Sequence, residues 1–208
     1  MNILRNFAVF EGGDGSGTTT QMELLRKRLR ARSSPPFFLT SEPTDGPIGR
    51  LIRSALGGDI TLRPETAARL FAADRGEHLY AAGGIAERAG RGELVVSDRY
   101  VPSSLVYQGL ACGGDLPGVL NGDFPAPELI VFFDLADETA LERVKKRGKR
   151  EIYEYPEFQA RVGEGYRRIL PAFEEGGTLV FTVDASGSPE EVAREVWRAL
   201  SCMPILKA

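Results

Sequence analysis

Residues 7–20 read Phe7-Ala8-Val9-Phe10-Glu11-Gly12-Gly13-Asp14-Gly15-Ser16-Gly17-Thr18-Thr19-Thr20, and this stretch decides the fold. The apolar run from Phe7 is of strand type, the glycines turn the chain, and Met22, Leu24, Leu25 and Leu29 then recur at helical spacing. Strand, glycine-rich turn and helix in that order are the context of a phosphate-binding loop. Glycines let backbone N–H groups converge on phosphate oxygens, and the following helix adds its partial positive charge. Gly12, Gly13, Asp14, Gly15, Ser16, Gly17, Thr18, Thr19 and Thr20 are therefore the candidate nucleotide contacts. One position departs from the motif. A lysine should follow the last glycine, and Thr18 stands there. Thr19 can still offer its hydroxyl to Mg²⁺, but without the lysine the loop reads equally well as a tight strand-to-helix turn. The rest of the chain decides between the two.

Further along, Phe37 to Thr40 forms a short apolar run, expected to be a buried strand, and Glu42-Pro43-Thr44-Asp45-Gly46-Pro47 is turn chemistry. Ile48, Leu51, Ile52 and Leu56 predict a short helix stopped by Gly57-Gly58. Pro64 opens a longer helix carrying Leu70, Phe71, His78 and Leu79, its middle weakened by Gly83-Gly84. Leu94 to Asp98, Leu129 to Asp134 and Leu179 to Asp184 read as three more strands. Between them, Pro102 and Ser103 open a short helix, and a glycine- and proline-rich loop runs through Pro127. Ser188-Pro189-Glu190-Glu191 starts the closing helix with a Ser cap, Pro in the first turn and two acids. Apolar strands alternating with helices predict an α/β fold with a five-stranded parallel sheet flanked by helices. Ligands in such sheets collect at the carboxyl ends of the strands. That edge carries Glu11 and Asp14, then Glu42, Asp98-Arg99, Asp134 and Asp184, a polar set suited to phosphates and a cation.

The 208 residues fit a single domain, with 29 acidic against 26 basic side chains and a formal charge of −3. That balance gives a nucleic-acid polymer no electrostatic support. No apolar run approaches the ~20 residues that span a bilayer, and the first residues are too polar for a signal peptide. Cys112 and Cys202 form no metal or redox spacing, so the expected setting is soluble and cytoplasmic.

Several side chains carry chemistry, each with a plain alternative. Asp98-Arg99 ends a strand, so Arg99 can clamp a phosphate with two hydrogen bonds and Asp98 can hold a cation; the alternative is an ion pair of Arg99 with Asp14 or Glu42. Phe71 and Arg75 lie four apart on one helix, which suits a flat base stacked on the ring with its edge held, or a packed core. Tyr107-Gln108 could be a pocket wall or a helix end. Lys145 to Arg150 is a basic cluster holding Gly148, a solvated face or a lid that brings charge onto phosphates. His78 reads as structural.

Five motifs in register resemble the thymidylate kinases. These are Phe10 to Gly17; Glu42-Pro43 followed by Gly49 and Ile52-Arg53; Leu70-Phe71-Ala72-Ala73-Asp74-Arg75 with His78; Asp98-Arg99-Tyr100 with Ser103 and Tyr107-Gln108; and Arg150 followed by Phe158, Val162 and Gly165-Tyr166. The resemblance implies a three-layer P-loop NTPase-type fold and Mg²⁺-dependent transfer of the ATP γ-phosphate to thymidine monophosphate (dTMP) by a homodimer. It implies that Phe71 stacks on thymine, that Arg75, Ser104 and Gln108 bond its edge, and that Tyr107 crowds the 2′ side of the sugar. Arg53 and Arg99 would hold the acceptor phosphate beside Ser103, with Asp14 and Glu42 orienting nearby groups. Thr19 and Asp98 would take the metal. A lid at about 145–156, with Lys146, Arg147, Lys149 and Arg150, would close over ATP. Arg99, Arg150 and Asp14 are the expected catalytic residues. Thr18, Ser41 and Thr44-Asp45 depart from the family pattern, and Gly15 and Ser16 stand where some members place a loop arginine, so any transition-state arginine must come from the lid. The alternatives are a thymidylate-binding relative without turnover and a kinase for another deoxynucleoside monophosphate.

Overall fold

The computed structural model describes residues 2–32, 35–136, 139–140, 142–143, 152–153 and 155–207. Its strands are β1 (Ile3–Gly12), β2 (Phe37–Ser41), β3 (Leu94–Asp98), β4 (Ala126–Asp134) and β5 (Leu179–Asp184). They form one sheet in the order β2-β3-β1-β4-β5, and every pairing is parallel.

The apolar runs are continuous because the central strands are covered on both faces. Phe7 and Val9 of β1 point to one side with Val95, Ile130 and Phe132. There they pack against α3 (Pro64–Tyr80), α4 (Ile85–Gly90), α5 (Val101–Cys112) and α7 (Pro156–Glu175). Ala8 and Phe10, one residue out of phase, point to the other side with Val96, Val131 and Phe133. These meet Met22, Leu25 and Leu29 of α1 (Thr18–Arg30) and Val192, Val196 and Ala199 of α8 (Pro189–Leu200). Helix, sheet, helix makes three layers, the α/β architecture expected from the sequence. The remaining described helices are α2 (Pro47–Leu56) and α6 (Leu116–Asn121).

Four local readings change. β1 begins at Ile3, ahead of a register shift at Asn6, whose φ of 62° is held by bonds from its N–H to Glu128 (2.7 Å) and from its amide to the Ala89 carbonyl (3.0 Å). Gly83-Gly84 does not weaken the middle of a helix; it separates α3 from α4. Gly83 has φ +72°, and a Cβ on Gly84 would stand 2.8 Å from the His78 carbonyl oxygen. β2 is only half-buried, because it is an edge strand with one neighbour. The loop before Pro127 contains α6, whose apolar content is too short to declare a helix.

The parallel register brings the strand ends to one edge: Ser41 pairs with Asp98, Phe10 with Asp98, and Asp134 with Asp184.

Candidate active site

At that edge the chain leaves β1 through Gly12, where a Cβ would meet Ser16 Oγ at 2.6 Å and the Phe133 carbonyl oxygen at 3.0 Å. The Ser16 N–H returns to the Gly13 carbonyl at 3.1 Å, closing the loop on itself. Gly17, at φ +94°, caps α1, and the first turn of α1 contains no acidic residue. Thr18 therefore sits at the positive end of a helix dipole, with first-turn N–H groups open to an anion. Thr19 turns its hydroxyl to Asp98 Oδ2 at 3.4 Å, and Thr20 faces solvent.

Opposite the loop, Arg99 adopts φ 73°, its N–H bonded to the Phe10 carbonyl at 2.9 Å. Its guanidinium donates to Asp14 Oδ1 (2.6 Å), to the Gly12 carbonyl and to Ser103 Oγ (each 3.3 Å), and its carbon stands 4.9 Å from the Tyr107 ring centre. Beneath it, fully buried Glu11 accepts from Ser103 Oγ (2.6 Å), Tyr166 OH (2.9 Å) and the Tyr100 N–H (2.9 Å). Burial pushes its carboxyl up from 4.5 to about 7, against the donors and Arg99. Burial also raises the Asp98 carboxyl, whose Oδ1 is enclosed without a hydrogen-bond partner. Gln159 of α7 grips Asp14 from the other side. It accepts the Asp14 N–H at 3.1 Å and donates to Asp14 Oδ2 at 2.7 Å and to the Tyr153 carbonyl at 3.0 Å.

The far wall is built on α3. Arg75 is fully buried and contacts Glu42 Oε2 through Nε (2.9 Å) and Nη2 (2.8 Å), Ser104 Oγ through Nη2 (3.0 Å), and Asn121 Oδ1 through Nη1. Among the described residues this leaves one Nη1 hydrogen of its five donors unspent. Glu42 also takes His78 Nδ1 at 3.1 Å, and His78 Nε2 meets Thr40 Oγ1 at 2.7 Å, so the lone histidine is structural as expected. Asp74 fixes the turn after β2 by accepting from the Thr44 N–H (2.7 Å) and hydroxyl (2.6 Å). Arg53 donates to the Pro43 carbonyl and lies 3.8 Å from Asp45. Among the described residues, Tyr107 OH and Gln108 Oε1 are buried without partners.

These pieces border one cavity of about 690 Å³. Asp14, Gly15, Gly17, Thr18 and Thr19 lie at one end, Phe71, Arg75, Ser104 and Gln108 at the other, and Asp98, Arg99, Ser103 and Tyr107 between them; Glu42 and Arg53 also border it. Gly12, Gly13, Ser16 and Thr20 belong to the loop but do not border the cavity. Arg99 makes the ion pair with Asp14 that was one of its two readings, and it also borders the cavity. Lys146, Arg147, Lys149 and Arg150 lie outside the described residues. Two participants escaped the sequence reading as site residues, Asn121 and Gln159, while Glu11 figures there only as part of the polar strand edge. Gln159 did leave a signal, a polar residue nearly fully buried on a helix whose inward face is otherwise mostly apolar.

A sequence profile of the thymidylate kinase family matches residues 10–196. A Treponema pallidum protein provisionally named a thymidylate kinase is 48% identical over 171 residues, covering 82% of this chain and 81% of its own. Archaeal proteins with similar provisional names follow, from Pyrobaculum aerophilum (41% over 193 residues, 91% and 93% covered) and Aeropyrum pernix (39% over 202 residues, 91% and 95%). A family match spanning most of the chain, with relatives this similar over four-fifths or more of their length, leaves one reading: the chain belongs to the thymidylate kinase family.

Proposed function

We propose that the protein transfers the γ-phosphoryl group of ATP to the phosphate of dTMP, giving dTDP. The observation that carries this is the single cavity with a phosphate loop at one end, an aromatic and amide pocket at the other, and Arg99 between. Phosphoryl transfer needs in-line placement and spread positive charge rather than covalent help from the protein. The open N–H groups of the loop and of α1 receive the donor's phosphates. Phe71 stacks on the base, the spare Nη1 hydrogen of Arg75 meets a base carbonyl, and Gln108 Oε1 accepts a ring N–H, relieving its burial without a partner. Tyr107 lies against the sugar. Arg99, held by Asp14 and Ser103, and Arg53 meet the acceptor phosphate, which is already nucleophilic and needs no general base.

The residues present fit Mg²⁺. Asp98 Oδ1 is enclosed and unpartnered beside the Thr19 hydroxyl, and hard oxygen donors of this kind suit a cation that keeps water and phosphate ligands. When bound, the ion neutralises charge on the β- and γ-oxygens. The reading extends to one kinase domain with a lid at about 145–156, led by Arg150, closing over ATP. It also extends to a homodimer covering exposed Tyr80 and Val119 of α3 and α6, and to work in the cytoplasm. Among the described residues no helix is long and apolar enough to cross a membrane.

Thr18 favours the second reading, a thymidylate binder without turnover. An ADP-release assay with ATP, Mg²⁺ and a panel of monophosphates separates the two. Turnover selective for dTMP is expected. Folded protein that binds dTMP and releases no ADP would remove the kinase reading, and preference for another monophosphate would reassign the acceptor.

A further inference from the structure

We propose that Arg143 supplies to the donor's polyphosphate the positive charge that position 18 lacks. Between Gly12 and Thr20 the only charged residue is Asp14, so the loop itself carries an acid and no base. Arg99 answers Asp14 and is assigned above to the acceptor phosphate. Arg143 approaches from the other side. Its Nη1 lies 3.9 Å from where a Cβ of Gly17 would be, and its Nη2 donates to the Ala185 carbonyl at 3.1 Å. The guanidinium thus bridges the loop that follows β5 and the N-terminus of α1.

A cation there does not serve the empty fold. The N-terminus of a helix carries about half a positive charge, and its first turn here has no acid to offset a second one. Placing a guanidinium against that end is unfavourable until an anion lies between them. A polyphosphate in the loop makes the anion that both the helix and Arg143 require. With Nη2 anchored on Ala185, the Nη1 and Nε hydrogens have no partner among the described residues, a geometry suited to phosphate oxygens. Arg26 also borders the cavity, but it lies about 12 Å along α1 from Thr18.

The inference rests on the loop's being an ATP site, and its test is separate from turnover. ATP and inorganic tripolyphosphate are titrated calorimetrically into the parent, Arg143→Gln, Arg143→Lys, Thr18→Lys and the Arg143→Gln/Thr18→Lys double variant. Thermal melting and dTMP affinity serve as controls for folding. Losing a charged contact weakens both ligands by about 10- to 100-fold in Arg143→Gln. Arg143→Lys keeps most of the affinity, and lysine at position 18 restores the double variant. Parental affinity in Arg143→Gln overturns the inference, as does a loss seen with ATP but not tripolyphosphate, which would place the contact on the base. A loss unchanged by Thr18→Lys overturns it too. If Arg143→Gln does not fold, Thr18→Lys decides: a gain of about 10-fold or more over the parent shows the charge was missing and overturns the inference, and little gain upholds it. A parent that binds tripolyphosphate through Arg143 yet fails to phosphorylate dTMP would count against the kinase function alone.

Discussion

The guanidinium of Arg99 meets the carboxylate of Asp14 at 2.6 Å, tying the turn after β3 to the phosphate loop after β1. Both residues border the cavity. Arg99→Lys loses the fork that serves Asp14, Ser103 and the Gly12 carbonyl together. Turnover number is expected to fall by about 100-fold or more, with circular dichroism unchanged. Parental turnover in Arg99→Lys would remove Arg99 from the reacting centre.

Glu11 makes stability depend on pH. Its carboxyl stands at about 7 in the folded chain against an ordinary 4.5, so the folded state binds the extra proton. The resulting stabilisation is complete below the unfolded value and is lost as pH rises through the folded one. Relative to Glu11→Gln, the parent is expected to lose up to about 3 kcal/mol between pH 4 and 8 in urea unfolding. A constant difference across that range would mean that folding leaves the carboxyl's affinity for its proton unchanged.

The buried Glu42, Arg75 and His78 form a unit that cannot lose its acid cheaply. Glu42→Ala leaves the Arg75 guanidinium without its counter-charge and is expected to cost about 3–5 kcal/mol. Denaturant titration measures the loss, and a change within error would mean that Asn121 and Ser104 suffice to hold the arginine.

Phe71 is half-buried and lies between the cavity of about 690 Å³ and a neighbouring one of about 200 Å³, bordering both. If it stacks on the base, Phe71→Ala raises the KM for dTMP by about 5- to 150-fold while the melting temperature moves little. A large drop in melting temperature with an unchanged KM would mark it as core.

Chelation with EDTA is expected to stop turnover while leaving dTMP binding intact, and Asp98→Asn should raise the Mg²⁺ concentration needed for half-maximal rate. Equal Mg²⁺ dependence in both proteins would take Asp98 out of the metal site.

The layers of the fold could be read from the sequence because Phe7/Val9 and Ala8/Phe10 need cover on opposite faces, and only a sheet between helices provides it. The strand-end residues could be read for a related reason: polar side chains at the end of a buried run must face something polar. What stayed hidden depends on tertiary placement. Asn121 sits on a six-residue helix within a glycine- and proline-rich stretch, and nothing local says that it reaches Arg75 from 46 residues away. Glu11 looked like the end of a strand, while its role comes from Ser103, Tyr100 and Tyr166, which converge only once α5 and α7 have packed. The half-buried edge strand β2 carries the same kind of apolar run as its covered neighbour β3, so sequence alone could not rank their exposure.

The left-handed backbone at Arg99 separates two consecutive side chains. Asp98 turns to the Thr19 hydroxyl, and Arg99 turns to Ser103 and Tyr107. One peptide unit therefore joins the two halves of the cavity, and an adjustment imposed on either half is felt in the other. Any linkage of ATP and dTMP carried through that unit is reciprocal: the factor by which ATP alters the affinity for dTMP is the factor by which dTMP alters the affinity for ATP.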